Sequence, residues 1–270
     1  MTTRSILNIR QILLLLLALL FFNNSVIARE ITVAFSHHQP PYIMHGAYTH
    51  SEADDSLVHN HGIEVDIFRE TLKLMGHTLK IKTMDRGLVK RSLSSSKKVD
   101  IASGVNLSTD RYHYSDKIIE YVNFAITLEN DNISLNSVND LRHYSISTWP
   151  GAHTALGPAF ARLYGRKGTH RNSYTQFSSQ LQQNIAFWSN ETEAMIIDRN
   201  IFAYYRNMLK DTLPTFRKVV MAPLFNKETP YYAAFKDKKL RGEFNDALAT
   251  IRYNGTYQKI IDKYIKPEGV

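Results

Sequence analysis

Cysteine is absent from all 270 residues. Disulfides, thiolate metal sites, a cysteine nucleophile and a lipidated N-terminal cysteine are therefore excluded, and stability has to come from packing. The one long apolar run, Ile12 to Phe22, is about half of the roughly 20 residues that a membrane-crossing helix needs. No Gly-x-Ser-x-Gly elbow and no Walker or dinucleotide fingerprint occurs, which removes the common signatures of serine hydrolases, nucleotide hydrolases and dinucleotide enzymes. No motif calls for a cofactor.

What is present starts with a leader pattern. Arg4 and Arg10 precede the apolar run, and Asn23, Asn24 and Ser25 lead into Val26, Ile27 and Ala28. A basic stretch, a short apolar stretch and small residues predict an exported, periplasmic protein cleaved near Ala28. About 240 residues remain, enough for one large domain or two ordinary ones. The formal charge is +8, falling to +6 without Arg4 and Arg10. The basic residues are spread along the chain, and the densest cluster, Arg162, Arg166, Lys167 and Arg171, reads as a solvated face. Nucleic acid is not an expected partner of an exported protein with this charge distribution.

Alternating strands and helices follow. Ile31 to Phe35 is a short β-branched and aromatic strand, ended by Gln39, Pro40, Pro41 and Tyr42. Val65, Phe68, Leu72 and Met75 recur at helical spacing up to Gly76; Leu79 and Ile81 alternate with Lys80 and Lys82; a helix around Leu88 to Leu93 precedes a strand from Val99 to Ala102. After about residue 126 the series restarts, with a strand at Tyr144 to Ser147, a helix carrying Phe177, Leu181, Ile185 and Trp188, and a buried strand, Ala194 to Ile197, ending at Asp198. Two α/β units of parallel sheet covered by helices are expected, followed by helices bearing Phe244, Leu248 and Ile251, then Tyr257, Ile260, Ile261 and Tyr264.

Five segments in order resemble the extracellular solute-binding proteins of family 3, the periplasmic amino-acid receptors of ABC importers. They are Gln39 to Tyr42, Gly62 to Phe68 (GIEVDIF), Val99 to Arg111 (VDIASGVNLSTDR), Tyr114 to Asp116, and Asn254 to Tyr264 (NGTYQKIIDKY). The resemblance implies an α/β protein of the two-lobed periplasmic binding type, each lobe a sheet flanked by helices, with two hinge crossings. Residues 29–124 and 222–270 would form one lobe and 125–221 the other. A small solute, an amino acid above all, would sit between them, and a membrane ABC permease would be the partner of a monomer.

The resemblance also points to residues. Arg111 would grip the ligand carboxylate, following Ser108 as the cap of a helix whose positive end favours an anion. Its guanidinium fork matches a carboxylate in two parallel hydrogen bonds. Asp198, at a strand's carboxyl end, would pair with the ligand ammonium; capping the helix that begins near Asn200 is the competing reading. Gly104 and Asn106 fall on a loop where the family uses backbone and hydroxyl groups. Trp149 to Thr154 (WPGAHT), with Ala152 and His153, resembles the second lobe's binding loop. Gln39 stands where an aromatic is frequent, so ring stacking falls to Tyr42 or Trp149.

Two further patterns bear on function. His37, His38, His45, His50, His59 and His61 crowd one polar segment, but no four-ligand spacing is present, so no metal is assigned. Besides a receptor, the same scaffold would suit an enzyme similar to cyclohexadienyl dehydratase, with Glu193, Asp198 or His153 as general acid, or a sensor acting through a protein partner.

Overall fold

The structure, a computed structural model, describes residues 28–44, 60–95, 98–109, 111–225 and 228–265. The proposed leader falls almost wholly outside them, as do His45, His50 and His59. Among the described residues no helix is long and apolar enough to cross a membrane.

Two sheets divide the strands. The first contains β1 (Glu30–Ser36), β2 (Thr78–Met84), β3 (Ile101–Val105), β4 (His113–Tyr114), β5 (Ile119–Tyr121) and β11 (Thr229–Phe235), in the order β2-β1-β3-β11-β4 with β5 also on β11. The second contains β6 (Asn123–Leu128), β7 (Ile146–Thr148), β8 (Tyr174–Gln176), β9 (Ala194–Asp198) and β10 (Val219–Ala222), in the order β10-β6-β9-β7-β8. The chain changes sheet between Tyr121 and Asn123 and returns between Ala222 and Thr229.

The expected α/β units are present, but the sheets are mixed rather than wholly parallel. β1 runs parallel to β2 and β3, and β7 parallel to β8 and β9, as right-handed βαβ connections require. β11 inserts antiparallel beside β3, and β6 antiparallel beside β9. These are the strands that adjoin the two crossings, which enter each sheet from the other side.

Helices cover both sheets. They are α1 (Ile63–Leu74), the short turns α2 (Arg86–Val89) and α3 (Ser92–Ser95), α4 (Pro158–Tyr164), α5 (Gln180–Trp188), α6 (Arg199–Met208), α7 (Lys238–Tyr253) and α8 (Thr256–Tyr264). The single helix expected at Leu88 to Leu93 is thus two separate turns. Gly62 precedes α1 with φ of 125°, and a Cβ there would stand 2.4 Å from the carbonyl oxygen of Tyr42, so only glycine fits that close approach. Asp66 joins the helices: it accepts hydrogen bonds from Tyr264 Oη at 2.5 Å and Lys263 Nζ at 2.8 Å, tying α1 to the end of α8.

Aromatic packing supplies much of the first core. Phe68 of α1 meets Phe35 of β1 at 5.3 Å and Phe244 of α7 at 5.1 Å, and Phe244 meets Phe235 of β11 at 5.2 Å. All four are fully buried. Phe244→Ala should therefore lose about 3–5 kcal/mol of unfolding free energy through lost transfer energy and the cavity left behind. Urea denaturation of the variant checks this; an unchanged midpoint would show that the ring is not part of the core.

Candidate functional site

Every parallel strand points its carboxyl end at the gap between the sheets, the place where α/β sheets offer loop side chains and helix N-termini to a ligand. A cleft of about 1020 Å³ lies there. Ser36 to Gln39 follow β1, Asp85 and Arg86 follow β2, and Asn106 follows β3. From the second sheet come Trp149 and Gly151 after β7, Ser178 and Ser179 after β8, and Asp198 at the end of β9. Tyr121, Asn123 and Tyr231 line the floor where the chain changes sheet.

Asp198 is buried, and its carboxylate is already engaged. Oδ1 accepts from the backbone of Asn200 at 3.0 Å and Ile201 at 3.1 Å, which makes it the N-cap of α6, and from Tyr42 Oη at 3.1 Å. Oδ2 accepts from the backbone of Val122 at 2.8 Å, in the first crossing. Tyr42, 2 % exposed, accepts in turn from Asn200 Nδ2 at 3.0 Å. Of the two readings of Asp198, the capping geometry is formed here, and Tyr42 serves it as a buried donor rather than as a ring in the cleft.

Asn106 and Trp149 also line the cleft, so three of the residues expected from sequence meet there. The others lie elsewhere. Arg111 is exposed, sits over the ring of Tyr112 at 5.6 Å, and is not among the lining residues. No helix is formed by the described residues from Asn106 to Tyr112, so Ser108, also exposed, caps none there. Ala152 is buried in the second core beneath Trp149. His153 is half-buried and its Nδ1 has no hydrogen-bond partner. Glu193 is exposed at the sheet edge and accepts from Ser145 N at 2.7 Å and Oγ at 2.9 Å, away from the cleft.

Gly104 falls in a strand rather than on the loop expected. It lies in β3 with φ of 63°, and a Cβ there would come within 3.0 Å of Glu64 Oε1. Glu64, from the first turn of α1, is 2 % exposed and accepts a hydrogen bond from Ser103 Oγ. Burial pushes its carboxyl up to about 7, against the Ser103 hydrogen bond and the charge of Arg86. Burial also raises Asp198 to about 6, in spite of its hydrogen bonds from Ile201, Val122, Tyr42 and Asn200.

Arg86 is the charged group that sequence reasoning missed. Its guanidinium lies over the ring of Tyr231 at 4.8 Å and donates to Gln39 Oε1 at 3.3 Å. The signal was available: like Asp198, it stands just past the carboxyl end of a strand. Among the described residues no group of three or more histidine, aspartate or glutamate side chains is placed to hold a metal ion.

A model of the bacterial extracellular solute-binding proteins, family 3, matches residues 31–267. The chain belongs to that family. The same fold appears in solved structures that resemble it. One is an amino-acid ABC transporter substrate-binding protein of Streptococcus pneumoniae bound to L-arginine, 19 % identical, covering 88 % of this chain and 94 % of that one, with a TM-score of 0.61. Another is a histidine kinase sensor domain, 18 % identical, with coverage of 88 % and 97 % and a TM-score of 0.63. A third is an ancestral amino-acid-binding protein, a precursor of cyclohexadienyl dehydratase, 18 % identical, with coverage of 88 % and 95 % and a TM-score of 0.62. At these identities the likeness establishes the two-lobed fold. A comparison with curated proteins gave no sequence match.

The raised carboxyls give the protein a pH dependence with a definite sign. In the unfolded chain Glu64 and Asp198 titrate near 4.5 and 3.8, so the folded state binds their protons more tightly. Stability is fully present below those values and falls as pH rises through about 6 to 7. Glu64→Gln should remove its share of the fall, raising stability at pH 8 relative to pH 5 by on the order of 2 kcal/mol. Denaturant titrations of parent and variant at both pH values test this; parallel curves would place the titration elsewhere.

Proposed function

We propose that this protein is an exported receptor that takes an amino acid or a similar small solute into the cleft between its lobes and delivers it to an ABC permease. The cleft carries this reading: it lies at the convergent strand ends, is large enough for a small molecule, and is lined by polar side chains from both sheets. Family membership supports solute binding, and the arginine-bound S. pneumoniae protein supports an amino acid as solute. In this reading residues 29–124 with 222–270 make one lobe and 125–221 the other, and residues 1–28 direct export.

An enzyme would need an acid or base presented to the cleft. Of the three residues considered, Glu193 and His153 lie outside the lining, and Asp198 is held by four donors. His37, His38 and Asp85 do line the cleft, so it is membership of a solute-binding family that puts the receptor reading ahead of the dehydratase reading. A ligand bound only by the folded state adds about 2.7 kcal/mol at a hundredfold excess over its dissociation constant. For a protein of this size that raises the melting temperature by roughly 5–10 °C. A melting scan against the common amino acids and small carboxylates should find at least one such shift; turnover of prephenate or arogenate would favour the enzyme instead.

A further inference from the structure

We infer that Arg86 holds the acidic group of the solute and that an amino group on the solute is dispensable, so the cleft accepts small carboxylates as a class; this rests on the receptor reading above. Arg86 is the one lysine or arginine among the described residues that line the cleft. Its guanidinium is held in place from behind. It lies 4.8 Å from the centre of the Tyr231 ring, Tyr231 packs on Tyr121 at 4.8 Å, and Tyr121 packs on Tyr42 at 4.4 Å. A planar cation braced against aromatic faces loses little freedom on binding, and its fork matches a carboxylate.

The charge is also available. Among the described residues no carboxylate lies within ion-pair distance of Arg86. The complementary half of a zwitterion has no buried, uncommitted carboxylate. Asp198 is committed to the backbone of Val122, Asn200 and Ile201 and to Tyr42, and Asp85, the other carboxylate in the lining, is exposed beside His37 at 3.3 Å, where water screens any ion pair it makes. At 2 % exposure, Asp198 offers an ammonium only Oδ2, which accepts from Val122 alone, and pairing at Oδ1 would displace donors that hold α6 and Tyr42.

Calorimetric titration of the mature protein with three matched pairs tests this: alanine and pyruvate, glutamate and 2-oxoglutarate, phenylalanine and phenylpyruvate. At least one pair should bind, with its two members within about tenfold of each other. Arg86→Ala should weaken both members by roughly thirtyfold or more, and Arg86→Lys, which keeps the charge without the fork, by less. Melting of the unliganded variants checks folding, and if Arg86→Ala does not fold, the loss in Arg86→Lys decides. Parental affinity in a folded Arg86→Ala, or a loss confined to Arg111→Ala, overturns the assignment and leaves the receptor reading intact. An amino acid that binds while its oxo acid does not restores an ammonium grip and overturns the second half of the inference. No binding by any pair overturns the inference; the receptor reading falls only if the wider melting scan also finds no solute.

Discussion

The fold turns on the carboxylate of Asp198. A charged group at 2 % exposure is tolerable only when its oxygens are met by donors, and here four of them come from three parts of the chain. Asn200 and Ile201 belong to the helix that Asp198 caps, Val122 to the strand crossing between sheets, and Tyr42 to the loop after β1. One side chain thereby ends β9, starts α6 and fastens both to the first sheet. A second link reinforces it, the backbone of Arg199 donating to the carbonyl of Val122 at 2.9 Å. Removing the carboxylate would take this acceptor at once from the amides of Asn200, Ile201 and Val122 and leave the Tyr42 phenol with only the carbonyl of Glu120 at 3.4 Å.

A second buried acid lies against the first sheet. Glu64 sits behind β3 in space that Gly104 leaves open, and the charge of Arg86 opposes the upward shift of its carboxyl. A buried carboxylate and a partly desolvated guanidinium each reduce the cost of the other's charge without forming a contact pair. Arg86 keeps its charge without an ion-pair partner among the described residues, while Nη1 donates to Gln39 Oε1. The tyrosines complete the arrangement, since their faces favour the cation and exclude water from its back.

Much of this architecture was legible in the sequence. The alternation in Leu79 to Lys82 and the helical spacing of Val65, Phe68 and Leu72 report burial directly, and the corresponding elements formed. β8, β10 and the two-residue β4 are short and without a clear period, so their pairing depends on partners remote in sequence. Asp198 was placed correctly at a strand's end, yet residue type alone does not separate a helix cap from a ligand anchor. Its four donors do. Arg111 shows the opposite difficulty: Ser, Thr and Asp before it suit a helix start, but propensity for a cap does not by itself form the helix that the cap would serve. Arg86 is exposed, as a charged residue after an alternating strand is expected to be, and only its approach to the Tyr231 ring, far along the chain, sets it apart from other surface arginines.

The same junction constrains how the two sheets move. Val122 and Asp198 sit where the chain first crosses, and Tyr42 stands beside them, so a rotation of one sheet about that point changes these distances least while changing those at Trp149 and Asn106 most. A sliding motion would pull Tyr42 Oη from Asp198 and expose an unpaired carboxylate within low-dielectric surroundings. Rotation is therefore the low-cost motion.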